Sequence, residues 1–468
     1  MSAIASAPTK EFAVPALRAR PVVLNKQLLA QIVICVSPAM ALVALQRPVW
    51  GGFYVALATI FLTAYYVLQR KRYHFLSLTI GCLPVLGLLR APFFYHGMTL
   101  LLLGEIVLWC LMGPDEVKRM WKDPLWRCLV VLCVVYWGAS FVYTGDYSSN
   151  GRLLDFTFTI TGVYLLANKR AYLATALLGI GISATAMALG LLPFGAERLG
   201  EAEVAGWHLG NPVDLGMPTA LMVLLCFADN GRWLLLENRP ILRMAVCIVS
   251  GEWLILSGSR GSWLLTIIGF CLIVFFGKQN RKPLFATLGV IFLAAVVLLC
   301  TDRGSKIVNQ YDRTVDSDRS LAKRTSGRSI QWAAIPAVFA QSPIWGWGPG
   351  SGKSVVRLFT GRNLQWHALY IQVIGETGLL GVLPLVILLV ILLRRGILHL
   401  RRFGEIAPLI GVVSFMTLGL SVQATDALGG IFLGLIFLPK GPIRRYVLGQ
   451  QMVAVAEESL PVSYEVAT

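Results

Sequence analysis

Apolar runs of about 14–26 residues, most of them long enough to cross a ~30 Å hydrocarbon layer as a helix, recur along this chain. They lie near 27–46, 49–68, 74–89, 92–112, 128–145, 154–167, 171–192, 212–227, 241–257, 261–277, 284–301, 368–393, 406–422 and 426–439. A soluble fold cannot bury so many. Only 14% of the residues are charged and the mean hydropathy is +0.69; soluble domains carry about 25% charged residues. The expected fold is an all-α polytopic integral membrane protein with 12–14 transmembrane helices, the short runs at 154–167 and 426–439 deciding the count. All nine cysteines sit inside apolar runs, without metal-ligand spacing, and read as small hydrophobes.

Charge sets the orientation. With the N-terminus in the cytoplasm, the inward segments hold 26 Lys and Arg, while the short outward loops hold Arg47, Arg90, Arg152, Arg198 and Arg260. Basic residues collect on the cytoplasmic side. Both termini are therefore expected inside, with tails at 1–26 and 440–468 around a transmembrane domain at 27–439. The polar, basic segment 1–26 lacks the short apolar stretch and cleavage site of a signal peptide. Topology also accounts for most of the net charge of +17, which removes the case for nucleic acid.

One segment escapes that rule. The outward loop at about 302–366 carries ten basic residues, including Arg328, Lys353, Arg357 and Arg362, against four aspartates, and ends at His367. Long loops cross the membrane regardless of charge, so topology does not explain this excess. Within the loop, Trp332, Ile335 and Phe339 at helical spacing predict a short amphipathic helix lying on the membrane or the bundle. Pro343-Ile-Trp-Gly346-Trp-Gly348-Pro-Gly350 predicts a tight backbone course.

Other polar groups face the same way. Ser257-Gly-Ser-Arg260-Gly-Ser262 splits a long apolar stretch into two minimal spans, so the chain must turn sharply there. Gly258 and Gly261 would permit that turn and place Arg260 at its tip. Arg260 is then either an interfacial arginine reaching for headgroups or part of an anion site. Asn211-Pro212-Val-Asp214 has the pattern of a helix start, and capping alone would explain it. The positive end of that helix would point where a phosphate can sit. Arg198 precedes it in the same outer loop. His367 opens an apolar helix, either as a cap or as a titratable group. Glu376, Glu252 and Glu105 are intramembrane carboxylates, which serve either proton relays or hydrogen bonding.

Taken in this order, Arg198…Gly210-Asn-Pro-Val-Asp214, the Ser-Arg-Gly hairpin at 259–261, Gly327-Arg328 with Trp332, Pro343…Gly346-Trp-Gly348, and His367 with Glu376-x-Gly378-x-x-Gly381 resemble the O-antigen ligase and polymerase superfamily. The likeness covers about residues 195–385. Ala368 departs from the small polar residue the family often has after the histidine, which weakens any helper role there.

The resemblance implies an inverting, metal-independent glycosyltransferase of the bacterial inner membrane, without cofactor, working at the periplasmic face. The donor would be an undecaprenyl-pyrophosphate-linked glycan. The acceptor would be lipid A–core in a ligase, or another lipid-linked glycan in a polymerase of O-antigen or exopolysaccharide. Arg198, Arg260 and Arg328, with Asn211 and Asp214, would hold pyrophosphate and glycan. His367 would take or orient the acceptor proton, and Glu376 would support it. The competing reading from a different class is a lipid-linked-oligosaccharide flippase or other transporter.

Overall fold

The computed structural model describes residues 72–87, 114–143, 148–167, 169–191, 202–204, 207–209, 212–277 and 327–420, with isolated positions from 285 to 325 and at 432. Both tails, three of the apolar runs (27–46, 49–68 and 92–112), most of 284–301 and of 426–439, Glu105, Arg198 and Asn211 lie outside them.

The apolar runs within the described residues are helices, and one polar surface helix lies among them. They are α1 (Arg72–Gly87), the surface helix α2 (Pro114–Lys122), α3 (Pro124–Tyr143), α4 (Ser148–Ala167), α5 (Arg170–Leu191), α6 (Pro212–Phe227), α7 (Pro240–Leu256), α8 (Arg260–Phe276), α11 (Leu369–Phe403) and α12 (Ala407–Gly419). The loop before α11 adds α9 (Arg328–Gln341) and α10 (Gly352–Thr360). Proline opens α2, α3, α6 and α7, at the position where its missing N–H costs nothing. The one departure from an all-α chain among the described residues is a small antiparallel hairpin between α5 and α6. It pairs Ala202–Val204 (β1) with Trp207–Leu209 (β2), Glu203 opposite His208.

Helix α6 is the central pillar. Every residue from Leu215 to Phe227 is buried, and α5, α7, α8 and α12 pack around it. A helix apolar on all sides has no polar face to offer water and is stable only when surrounded. Gly269 brings α8 close: a Cβ there would stand 2.5 Å from Leu224 Cδ2. The outside of the bundle is apolar as well. Helix α8 exposes Leu264, Ile267, Phe275 and Phe276, and α11 exposes Leu383, Val386, Ile387 and Val390. Such faces are rare on soluble proteins and suit a hydrocarbon surround.

Ala171–Leu191, Pro212–Leu234 and Leu369–Phe403 are long and apolar enough to span a bilayer; α8 and α12 are shorter apolar helices. Buried hydroxyls bond back to their own helix: Thr219 to Leu215 O, Thr266 to Ser262 O, Thr377 to Val373 O and Thr417 to Val413 O, all within 2.9 Å. Where no water reaches, polar groups must be satisfied internally.

Two polar layers close the bundle. At one end, Asp229 follows α6 and accepts the N–H groups of Ile406 and Ala407 at 3.0 and 3.1 Å and Trp233 Nε1 at 2.8 Å. Glu405 meets His399 Nε2 at 2.9 Å and Arg232 at 3.7 Å. Arg395 grips both oxygens of Asp123 at 2.9 and 2.7 Å. These contacts tie the C-terminal ends of α6 and α11 together. Chain direction therefore gathers the starts of α6, α8 and α11 at the opposite end, where α9 and α10 sit.

Candidate active site

At that opposite end, α7 stops at Leu256 and α8 starts at Arg260, leaving a three-residue turn. Gly258 supplies it with φ of +61°. Gly261, expected to share this role, instead lies inside α8, because one left-handed residue suffices to reverse the chain. The serines tie the turn down. Ser257 Oγ donates to Leu254 O at 2.7 Å and accepts Ser259 N–H at 3.2 Å, and Ser259 Oγ lies 2.9 Å from Ser262 Oγ. Arg260 thus sits one residue past the tip, as the first residue of a helix.

The turn is pressed onto the start of α6. A Cβ on Gly216 would lie 2.7 Å from Ser262 Oγ, 2.8 Å from Ser259 Cβ and 3.0 Å from Ser257 Oγ. Only hydrogen fits there. The first turns of α6, from Pro212, and the Ser-Arg-Gly hairpin, some forty residues apart in sequence, are therefore one surface. Asp214 is buried in the first turn of α6, two residues from that contact.

The loop brings a second arginine. Gly327 enters α9 with φ of +80°, and Arg328 is its first residue. Thr325 holds the entry: its carbonyl accepts Arg328 N–H at 3.2 Å and its Oγ1 accepts Ser329 N–H at 3.2 Å. The Nε of Arg328 is buried with no hydrogen-bond partner among the described residues. Burial lowers the Arg328 pKa from its ordinary value, and the nearby charge of Arg260 lowers it further. Both cations stand at helix N-termini, the positive end of each dipole, where a cation is disfavoured by about 0.3–1 kcal/mol. Two guanidiniums, two dipole ends and an unpaired buried donor make an arrangement that an anion would relieve.

The short helix expected around Trp332, Ile335 and Phe339 is α9, and the face it buries within the protein is a neighbouring one. Gln331, Ala334 and Val338 are buried, and Trp332 is 39% exposed. The burial follows a small core of the loop itself, in which Ala334 and Val338 meet Val355, Val356, Trp366, Ala368 and Ile371, with Ile335 at its edge. Trp366, fully buried, fills a slot made by two glycines: a Cβ on Gly352 or Gly375 would come within 2.6 and 2.9 Å of its ring.

His367 follows that anchor. It does not begin the helix, which starts at Leu369; it closes a stretch without regular secondary structure, and its side chain is exposed. Gln331 straddles it. The Gln331 amide donates to Gln365 O at 2.6 Å, and its Oε1 accepts the N–H of His367 at 3.2 Å. Sequence reasoning missed Gln331 and the burial of Trp366. Gln331 sits beside Trp332 and Trp366 just before His367, yet neither is charged or titratable, and nothing in one sequence marks a buried amide as a clamp.

The glycine-rich segment docks on a break in α11. At Gly378 the backbone leaves the helix with φ of +56° and ψ of −148°. Around this gap Trp347 N–H bonds Gly375 O and Gly348 N–H bonds Glu376 O, both at 2.9 Å, while Leu379 N–H returns to Pro343 O at 2.8 Å. A Cβ on Gly346 would strike the Glu376 carbonyl carbon at 2.4 Å. The buried Glu376 carboxylate accepts Gly350 N–H at 3.3 Å and Gln372 Nε2 at 3.1 Å. Glu252, in contrast, faces outward from α7.

The structure therefore brings Arg260 and Arg328 together, presses the Arg260 turn onto α6 two residues past Asp214, links His367 to the Arg328 helix through Gln331, and ties Glu376 into the docked segment. Among the described residues no three His, Cys, Asp or Glu side chains form a metal-holding group.

Residues 245–386 match the family model of the O-antigen ligases. The match supports the O-antigen ligase and polymerase superfamily. It runs from α7 through the loop into α11 and contains Arg260, Arg328, His367 and Glu376, while Arg198, Asn211 and Asp214 precede it. No curated protein matches the chain.

Proposed function

From this membrane-embedded region of O-antigen ligase type, we propose an inverting glycosyl transfer at the periplasmic face of the bacterial inner membrane. The donor is a glycan on undecaprenyl pyrophosphate; the acceptor is a sugar hydroxyl of lipid A–core or of another lipid-linked glycan. The acceptor oxygen bonds to the anomeric carbon, the bond from that carbon to the phosphate oxygen breaks, and polyprenyl pyrophosphate departs. The acceptor proton passes to the imidazole of His367, a side-chain type suited to general-base work.

The observation that carries this reading is the meeting of Arg260 and Arg328, each heading a helix, with an exposed His367 held by the Arg328 helix. Negative charge grows on the leaving pyrophosphate. Fixed guanidiniums can hold its oxygens in pairs without reorganising, the kind of preorganised stabilisation worth about 10²–10³ in rate per donor. Arg198 and Asn211 would extend this anion site, and Asp214 would orient a glycan hydroxyl or an arginine. An exposed histidine leaves room for the acceptor to approach.

The test is a product assay with purified protein, lipid-linked glycan and acceptor, without ATP. Joined glycan is expected from the wild type and none from His367→Ala. Wild-type turnover in His367→Ala would remove the catalytic assignment. Movement of lipid across liposomes with no joining of sugars would favour a flippase. Deleting the gene separates the acceptors: polymer accumulating on the carrier lipid marks a ligase, and single repeat units mark a polymerase.

A further inference from the structure

We infer that Gln331 is the residue that positions His367 for the transfer, and that it couples the histidine to the arginine end of α9. The inference rests on the reading of His367 as the proton acceptor.

Gln331 is fully buried, yet it is not spent on its own helix. Its two polar atoms reach across 34 and 36 residues of sequence to the carbonyl of Gln365 and the N–H of His367. Those two groups belong to a stretch without regular secondary structure, in no strand ladder among the described residues. A single primary amide carries one donor end and one acceptor end in a rigid plane, so it fits a C=O and an N–H two residues apart. Between them Trp366 turns the opposite way into its glycine slot. The backbone carrying His367 is thus pinned at residues 365, 366 and 367, while the imidazole itself stays exposed.

The same amide sits three residues, about one turn, beyond Arg328 on α9. Displacement of the helix start by a bound anion would be passed to His367 through this pair of bonds. Loosening the pair would leave the arginines in place and let the histidine drift. Misplacement of a reacting group by about 1 Å can cost ~100-fold in rate. The cost should therefore fall on turnover and not on donor binding.

Gln331→Met keeps the length of the side chain and removes both bonds. With the full-length purified protein and lipid-linked donor, the expected result is a kcat reduced ~10–100-fold, with the donor KM within about twofold of wild type. Gln331→Glu keeps the acceptor for His367 N–H and loses the donor to Gln365, so its kcat should lie between the two. Wild-type kcat in Gln331→Met, or a loss carried entirely by KM, overturns the inference. If Gln331→Met does not purify as a folded protein, Gln331→Glu decides: reduced kcat at unchanged KM supports the inference, and unchanged kcat overturns it. His367→Ala, run in parallel, separates the two levels. An inactive His367→Ala beside a fully active Gln331→Met removes only Gln331, whereas an active His367→Ala removes the reading beneath it.

Discussion

Arg260 and Arg328 head two different helices, α8 and α9, yet stand close enough that the charge of the first lowers the pKa of the second. Sixty-eight positions separate them in sequence. Their approach is unfavourable in the empty protein, since like charges and two positive helix ends add up.

That cost predicts a trade between stability and activity. The folded pKa of Arg328 is depressed, and Arg328 is a base, so folding disfavours its charged form at every pH where the unfolded chain carries that charge. Arg328→Met should therefore raise the thermal stability of the substrate-free protein by about 0.3–1 kcal/mol while lowering transfer at least ~10-fold. Melting curves with and without pyrophosphate check it. The anion should stabilise the wild type more than the variant.

Geometry, beyond charge, should matter at Arg260. Arg260→Lys keeps the cation and loses the planar fork. Transfer should fall ~100-fold with unchanged folding, read by turnover beside size-exclusion profiles. Near-normal turnover would argue against paired contacts to a pyrophosphate.

Gly216 should prove as sensitive as a site residue without touching substrate. Alanine there meets Ser262 and Ser259 at 2.7 and 2.8 Å and must push the Arg260 turn off α6. A stability loss of about 1–3 kcal/mol is expected together with weaker donor binding. A donor KM equal to wild type in folded Gly216→Ala would show that the turn can shift without consequence.

Glu376 is expected to hold structure and not to move protons. Its carboxylate is tied to Gly350 N–H and Gln372. Glu376→Ala should lower the melting temperature by several degrees, since an unsatisfied buried donor costs about 1–3 kcal/mol. Turnover per folded molecule should stay within a few-fold, and the pH profile should keep its shape. A shifted profile would instead place Glu376 in the proton path.

The far end of the bundle offers a control. Asp229→Ala removes acceptors from Ile406, Ala407 and Trp233. Stability should fall by about 1–3 kcal/mol with donor KM unchanged, measured on the same preparations.

Much of this protein is legible in its residue order. Apolar length alone predicts α1, α3, α5 to α8 and α12 to within about four residues, because a helix surrounded by hydrocarbon has no alternative way to satisfy its backbone; the start of α4 and the charged last turns of α11 lie beyond the expected runs. Pro212 and Pro240 mark helix starts, and the Ser-Gly-Ser break marks the turn, since these depend on local backbone chemistry. Arg260, Arg328, His367 and Glu376 are visible as charged or titratable groups in apolar or glycine-rich settings. Their association is not. Hydropathy did not reveal that Gly216 admits the Arg260 turn, that Arg328 lies beside it, or that α9 buries Gln331 and turns Trp332 outward. Those facts depend on contacts between segments far apart in sequence, where a missing Cβ or the reach of one amide decides what can touch. Local chemistry supplied the groups, and packing alone decided that Gln331, an uncharged residue, holds the histidine.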